Sequence, residues 1–339
     1  MKQRVLAKIV FFILLLIATA SYGDYRSGDE VDAFIDKMVE EHQFDRRQLH
    51  GWLAQAEKKQ TILDAISRPA EKTLTWDRYR RIFLGQDRID QGVQFWLENQ
   101  QTLERAQRQF NVPVAIIVAI IGVETRFGRH KGSYRVIDAL ATLGFDYPPR
   151  AAFFRKELES FFLLAREQKQ DPLSLTGSYA GAMGYGQFIP SSYRAYAVDF
   201  DHDGVADIWN NPVDAIGSAA NYFHVHGWQY GEPVFADLQL AKHADQSLLN
   251  QNHKPSLTVS EAKSKGFELV SPVKHEQPLK LTPLQYQNGD ELEYLAGFDN
   301  FYVITRYNRS RLYARAAWEL AQAIEAQYAK VDAETKVGE

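Results

Sequence analysis

Three stretches of the chain carry side chains whose type and spacing could do chemistry. The first is Gly122-Val123-Glu124-Thr125-Arg126-Phe127-Gly128, which closes a run over 112–126 that is apolar on every face except its last turn. A carboxylate at the end of a buried helix loses hydration and meets the negative end of the helix dipole. Both effects favour its protonated form. A glutamic acid kept protonated near neutral pH can give a proton to a leaving oxygen, as cleavage of a glycosidic bond requires. The competing reading is an ion pair of Glu124 with Arg126 or Arg129 at the helix end.

The second stretch runs from Ser178 to Tyr193, SYAGAMGYGQFIPSSY. Gly181, Gly184 and Gly186 fall within six residues and let the backbone approach another chain or a ligand closely. No Lys-Ser/Thr ending and no preceding strand are present, so this is not a phosphate loop. Ser178, Tyr185 and Gln187 offer polar groups beside that backbone. An ordinary tight loop capping the next helix accounts for the same residues.

The third stretch is Asp199-Phe200-Asp201-His202-Asp203-Gly204-Val205-Ala206-Asp207. Acids at relative positions 1, 3, 5 and 9, with Gly at 6, match a calcium loop, and position 7 contributes the Val205 carbonyl. Position 12 holds Asn210 where Glu is usual, and Asp214 lies beyond it as a candidate closing ligand over 199–214. The alternative is an acidic surface turn. Mutual repulsion of acids so spaced favours a bound cation.

The elements that must carry these stretches are mostly helical. Val31, Phe34, Ile35, Met38 and Val39 share one helical face. Asp45 starts a second helix, DRRQLHGWLAQAEKKQ. Ser67-Arg68-Pro69 breaks the pattern and Thr75-Trp76-Asp77 restarts it. Pro113 suits the first turn of the apolar helix and Gly128 its stop. That helix belongs at the centre of the fold. From about 237 the pattern turns polar and alternating. Asn288-Gly289, between Leu279-Lys280-Leu281 and Leu292-Glu293-Tyr294, predicts a hairpin. Helix returns from Arg309 to Lys330, with Leu312, Ala316, Leu320 and Ile324 in register. The predicted fold class is mainly α with a small β part.

The 339 residues suggest about two domains or one large one. With 39 basic and 43 acidic residues the net charge is -4, which offers no broad basic face to a nucleic acid. Apolar and charged fractions of 45% and 24% are those of a folded soluble chain. Aromatics reach 13%, with 17 Tyr, a type that lines ligand clefts. The absence of Cys excludes disulfides, thiol nucleophiles and cysteine-linked lipid. Lys2, Arg4 and Lys8 precede an apolar run from Ile9 to Ala18, and Ala18-Thr19-Ala20 reads as a cleavage site. Residues 1–20 are therefore expected to be a secretory signal, with an uncleaved anchor as the alternative. Removing its three cations takes the net charge from -4 to -7. The expected destination is the periplasm of a bacterium.

Taken together, FDRRQLHGWLAQA, LDAISRPAEKTLTW, GVETRFG, ALATLGFDYPPR, GSYAGAMGYGQFIPSSY, AVDFDHDGVADIW, NPVDAIGSAANYF and VITRYNRSRLYA resemble the lytic murein transglycosylase B family over nearly the whole chain. The resemblance implies a lysozyme-like catalytic core over 111–236, a helical N-terminal portion over 25–110, a β-containing insertion over 237–300 and a helical part over 301–330 that completes the core. It implies cleavage of the MurNAc–GlcNAc β-1,4 bond of peptidoglycan without water, leaving a 1,6-anhydromuramoyl end. It places the single acid and base at Glu124, and Ser178 and Gln187 in the cleft beside it. It places Tyr79, Arg150, Tyr222, Tyr307, Asn308 and Tyr313 along the sugar groove. A structural calcium held by Asp199, Asp201, Asp203, Val205, Asp207 and Asp214 is implied too; the implied partner is the glycan strand. Many members carry a lipid-modified cysteine, which this chain lacks.

Only one buried carboxylate is evident, whereas an ordinary glycosidase needs two. The substrate's own 2-acetamido oxygen is then the expected nucleophile. Two alternatives remain at this level. A muramidase would hydrolyse the same bond with Asp138 or Asp146 activating water. A calcium-stabilised peptidoglycan-binding protein would need no buried acid at all.

Overall fold

A computed structural model describes residues 25–67, 74–273 and 278–338. The expected signal segment over 1–20 and the Arg68-Pro69 break lie outside the described residues. The N-terminal helices are α1 (Asp29–His42), α2 (Arg46–Leu53), α3 (Gln60–Ile66), α4 (Trp76–Phe83), α5 (Gln86–Glu98) and α6 (Gln100–Phe110). The central helix α7 spans Val114–Thr125. A short ladder, β1 (Tyr134–Arg135) with β2 (Thr176–Gly177), frames α8 (Val136–Asp146) and α9 (Ala151–Glu167). Helices α10 (Pro190–Tyr196) and α11 (Pro212–Val225) follow.

The predicted β part is a five-stranded antiparallel sheet. Its strands are β3 (Phe235–Leu240), β4 (Leu257–Thr258), β5 (Phe267–Leu269), β6 (Lys280–Asn288) and β7 (Glu291–Gly297), in the order β4-β6-β7-β3-β5. One short helix, α12 (Val259–Ser264), covers it, closed by a capping box between Thr258 and Glu261. The hairpin forms as expected, with Asn288 paired to Glu291. Its turn is Gly289-Asp290 rather than Asn288-Gly289, and the left-handed φ of +62° falls on Gly289. Leu238, Phe267, Leu281 and Phe298 give this sheet a small core of its own. The chain then returns through α13 (Asp299–Tyr307) and α14 (Arg311–Gly338). The Ser310 hydroxyl receives the Tyr313 N–H at 3.3 Å, so α14 begins two residues later than the sequence periodicity suggests.

Helix α7 is the axis of the molecule. Val114 to Val123 are all buried, as its all-round apolar sequence requires. It is wrapped by α5, α6, α11 and α14. The residues expected in register on the last helix, Leu312, Ala316, Leu320 and Ile324, are all buried there. The N-terminal helices share the same core, docked through Phe34 against Phe145 and Phe162 and through Trp52 stacked on Phe162 at 5.4 Å.

The second predicted helix is shorter than its pattern. Asp45 caps it as expected, accepting the Gln48 N–H at 2.8 Å. Past Leu53 the Gln55 and Ala56 N–H groups tighten onto the carbonyls three residues back, and the chain beyond bonds elsewhere. The Glu57 N–H donates to Asp138 Oδ1 at 2.9 Å and the Lys59 N–H to Thr142 Oγ1 at 3.1 Å. These contacts on α8 replace the intrahelical ladder. Because α7 is enclosed on every side, Ile120→Ala should cost about 2–5 kcal/mol of unfolding free energy in urea titration.

Candidate active site

Glu124 stands in the last turn of α7, half-buried, where the apolar helix meets the surface of the core. Three consecutive residues then take left-handed backbone angles: Arg126 at φ 51°, Phe127 at 60° and Gly128 at 83°. The first two are strained for side chains with a Cβ. At Gly128 a Cβ would lie 2.1 Å from the Tyr185 ring, so glycine is required there. The turn is held by Thr125, 1% exposed, whose hydroxyl accepts the Gly128 N–H at 2.9 Å and lies 2.9 Å from the Tyr185 carbonyl. Arg88 of α5 caps the helix end from outside, donating to the Gly122 carbonyl at 2.9 Å. A cation suits that pole of the helix. Arg126, one expected partner of Glu124, donates through Nε to Gln91 at 2.9 Å. Arg88 and Gln91 had no sequence signal, because neither belongs to a motif with a chemical role of its own; Thr125 lies in the stretch around Glu124, where its part in closing the turn had no signal.

The phenol of Tyr313, on α14, donates to Glu124 Oε1 at 2.5 Å. That is the short length of an O–H bonded to a carboxylate. Burial first, then the nearby Glu124 charge, push the Tyr313 phenol well above its ordinary range, and the same two causes act on Tyr307. Both phenols therefore stay neutral donors. Tyr307 donates to the Gly186 carbonyl at 2.5 Å and so joins α13 to the glycine-rich loop. Tyr222 donates to the Arg306 carbonyl at 2.6 Å, stacks on His226 at 4.0 Å and meets the edge of Tyr307 at 4.6 Å. Tyr79 packs on Phe83 and is 1% exposed.

The glycine-rich stretch is a tight loop whose Met183 and Phe188 exchange both backbone hydrogen bonds. Ser178 Oγ accepts the N–H groups of Ala180 and Ala182 at 3.3 and 3.0 Å. Its two acceptor positions are used, and its O–H remains a donor. Gln187, at φ 50°, donates through Nε2 to the carbonyls of Lys131 and Gly184 at 3.2 and 3.0 Å. Asn308 is half-buried, with its backbone closing α13.

Glu124, Tyr313, Tyr307, Tyr222 and the glycine-rich loop thus form one connected group. Tyr79 joins it through its proximity to Tyr313. Among the described contacts Arg150 does not. It is exposed on α9's approach, with its guanidinium over the Phe153 and Phe154 rings at 4.3 and 5.0 Å. Of the expected groove tyrosines, Tyr79, Tyr222 and Tyr313 are buried and Tyr307 is partly so.

The two carboxylates a hydrolase could have used are committed elsewhere. Asp138 is 2% exposed; Arg135 grips both its oxygens at 2.7 and 2.8 Å, and it holds the Glu57 N–H. Asp146 accepts the Tyr25 phenol at 2.6 Å and pairs with Lys58. Both pin the N-terminal segment to α8. Another carboxylate, Glu157, is buried; burial pushes it up, and it accepts the N–H and hydroxyl of Ser191 at 2.9 and 2.8 Å.

In the acidic loop the carboxylates of Asp199, Asp201 and Asp203 come within 4.8 Å of one another. Burial raises Asp199, but the N–H groups of Gly204, His202 and Asp203 outweigh it and hold the group below the usual carboxylate range. Hard oxygen donors so gathered fit a cation such as calcium. The two other expected acids also hold the loop together. Asp207 Oδ1 accepts the N–H groups of Trp209 and Asn210, both at 2.9 Å. Asp214 is fully buried; Oδ1 accepts from Phe200 and Asp201, and Oδ2 from Asp207 and the Asn211 side chain. Four donors fill its lone pairs, so it clamps the loop's two ends. The exit of this loop reaches the end of α7: the Tyr185 N–H donates to the Ile208 carbonyl at 3.0 Å, and the Tyr185 carbonyl meets Thr125.

Residues 27–322 match the family model described as the transglycosylase SLT domain. The chain is 44% identical over 311 residues to the membrane-bound lytic murein transglycosylase B of Escherichia coli K12, covering 89% of this chain and 84% of that one. It is similar to the structure of the catenated lytic transglycosylase SltB1 of Pseudomonas aeruginosa, with a TM-score of 0.86 and 50% identity over 90% of this chain and all of that one. It is also similar to the Escherichia coli lytic transglycosylase Slt35 in complex with calcium, with a TM-score of 0.82 and 44% identity over 91% and 96% of the two chains.

Because Asp214 holds four donors and Asp201 lies at the surface, the two should differ in metal-free buffer. With a chelator present, Asp214→Ala should lower stability by about 1–3 kcal/mol, the cost of stranding buried donors. Asp201→Ala should change it by roughly 0.5 kcal/mol or less. Thermal melts in chelator check both.

Proposed function

The chain belongs to the transglycosylase SLT family, and from that membership we propose how its residues act on the substrate. The protein is a lytic murein transglycosylase with a lysozyme-like helical core, an enzyme that cleaves peptidoglycan. The bond cleaved is the MurNAc–GlcNAc β-1,4 bond, and the product is a 1,6-anhydromuramoyl end. The observation that carries this reading is Glu124 at the end of a buried helix with the Tyr313 phenol 2.5 Å from Oε1, while Asp138 and Asp146 are held in ion pairs.

Glu124 starts protonated and gives its proton to the glycosidic oxygen as the bond from C1 of the muramoyl sugar breaks. The 2-acetamido oxygen of that sugar closes onto C1 and forms an oxazolinium ring. Glu124, now a carboxylate, takes the proton of the C6 hydroxyl. O6 then attacks C1, the oxazolinium opens, and the anhydro ring closes with the acid restored. One carboxyl serves both steps, and no water enters. Tyr313 fixes the carboxyl in place. Ser178, with its O–H left to donate, and Asn308 orient the sugar. Gln187 shapes the cleft by tying the loop to Lys131, and Tyr79, Tyr222 and Tyr307 form its aromatic wall. Arg150 supports an outer part of the groove.

Calcium is held by Asp199, Asp201 and Asp203 with the Val205 carbonyl. When bound it supplies rigidity to the loop and no chemical step. The site of action is the periplasmic side of a bacterial cell envelope, where the glycan lies.

Glu124→Gln should reduce release of anhydro ends from murein by a hundredfold or more while leaving the melting temperature and glycan binding nearly unchanged. A near wild-type rate in that variant would remove Glu124 from the reaction. Tyr313→Phe should lower kcat by roughly tenfold to a hundredfold with little change in KM, since it misplaces a reacting group without touching the sugars. Calcium at a hundredfold excess over its dissociation constant should stabilise the protein by about 2.7 kcal/mol. The double change Asp201→Ala and Asp203→Ala should abolish that shift, as read in melts with and without the ion.

A further inference from the structure

The reaction given above leaves Glu124 as a full carboxylate midway, in a place that penalises charge. Its helix α7 is buried along its length, and the free carbonyls of the last turn add negative potential. The groups gathered around it from α14, α13 and α4 are the phenols of Tyr313, Tyr307 and Tyr79, and from α11 that of Tyr222, edge-on to Tyr307. From the glycine-rich loop comes Tyr185, with Asp207 beyond it. The Lys131 ammonium lies over the Tyr185 ring at 4.7 Å and donates to the Trp209 carbonyl. Arg129 and His130 are exposed. Two half-buried cations stand at the helix end itself, Arg88 and Arg126.

Arg88 donates through Nη1 to the Gly122 carbonyl at 2.9 Å, and the same carbonyl accepts the Arg126 N–H at 3.1 Å. Gly122 and Glu124 are about 200° apart around the helix, so Arg88 reaches α7 from the side away from the Glu124 side chain. Its guanidinium rests over the Phe83 ring at 5.2 Å, and Arg126 is held by Gln91 of the same helix α5. Helix α5 is pressed against α14: a Cβ on Gly92 would lie 2.4 Å from Ile324 Cδ1. Burial first, then the Arg126 charge, lower the Arg88 pKa, yet a guanidinium remains charged. Arg81, Asp87, Arg88 and Arg126 line one cavity. Arg81 pairs there with Asp77, and Asp87 is exposed; Arg88 and Arg126 meet no carboxylate within ion-pair distance among the described residues.

Two like charges so placed repel each other and lose hydration. Capping alone does not require them. The Gly122 carbonyl already has the Arg126 N–H, and any neutral donor would satisfy its second lone pair. What a neutral donor would not bring is charge at the pole of the helix that carries Glu124. We propose that Arg88, with Arg126 beside it, serves the reaction by stabilising the carboxylate that forms on Glu124 as its proton passes to the glycosidic oxygen. The proposal rests on the reading of Glu124 as the acid. Arg88 acts through Glu124 and is in place before the bond breaks, so no reorganisation accompanies the step. Without it Glu124 is a weaker acid. The reaction starts from protonated Glu124, so kcat/KM falls as pH rises through the pKa of that acid. Loss of a neighbouring cation moves this alkaline limb to higher pH.

Arg88→Gln keeps a side-chain donor for Gly122 and removes the charge. Its alkaline limb of kcat/KM, read as release of anhydro ends, should move up by about half a unit or more, and kcat should fall roughly tenfold with KM within twofold. Arg88→Lys should return the limb to its wild-type place. Carbon-13 NMR titration of the glutamate carboxyls reads the same coupling without cleavage. The Glu124 signal, assigned by its loss in Glu124→Gln, should titrate at higher pH in Arg88→Gln. If Arg88→Gln melts early, Arg126→Gln should move both readouts in the same direction by less. An unmoved limb or an unmoved midpoint overturns the proposal, as does a limb that moves equally in Arg88→Lys. A midpoint that rises in a protein whose Glu124→Gln variant still cleaves murein would instead sink the reading of Glu124 as the acid and leave its coupling to Arg88 standing.

Discussion

The hydrogen bond from Tyr313 to Glu124 joins residues 189 positions apart and depends on most of the fold. Its acceptor stands where the buried helix α7 runs out, and its donor is presented by α14, which packs along the same helix. Each side has its own supports. On the acceptor side, Arg88 caps the helix end and Thr125 closes a turn of three left-handed residues. On the donor side, Ser310 caps the start of α14, and Tyr307 ties the preceding helix to Gly186. A carboxyl that must serve first as acid and then as base needs a fixed position through both steps. A short bond from a buried phenol that stays neutral provides it.

The same logic explains the distance over which the acidic loop matters. Asp214 gathers the two ends of that loop with four donors, and the loop's exit residue Ile208 accepts from Tyr185. Tyr185 in turn meets Thr125, one residue from Glu124. The loop therefore sits behind the C-terminal end of α7. On the proposed reading, a cation on Asp199, Asp201 and Asp203 would stiffen that support.

How much of this was legible in the sequence varies with how local its cause is. The apolar run over 112–126 announced α7 and placed Glu124 at its end, because periodicity and one charged residue suffice for that. The β part was legible from alternation and from Gly289, with the turn one residue off. What could not be read are the tertiary choices. The expected second helix does not run on past its final tight turn because Asp138 and Thr142, some 80 residues away, take the N–H groups of Glu57 and Lys59. Spacing singled out Asp214, but not that three backbone N–H groups and the Asn211 side chain converge on it. Asp138 and Asp146 looked available as a second carboxylate until Arg135, Lys58 and Tyr25 were seen to hold them. Arg88 belongs to no motif and Thr125 sits beside Glu124 in one, and only the packed structure shows what they support.

The central claim is that one carboxyl and the substrate's own groups do all of the chemistry, with no second acid to activate water. Digestion of murein in water enriched in oxygen-18, followed by mass spectrometry of the released fragments, addresses this directly. The account predicts muramoyl ends one water lighter than a reducing sugar and free of the label. Reducing ends carrying one labelled oxygen from the solvent would contradict it and point to a water-activating carboxylate.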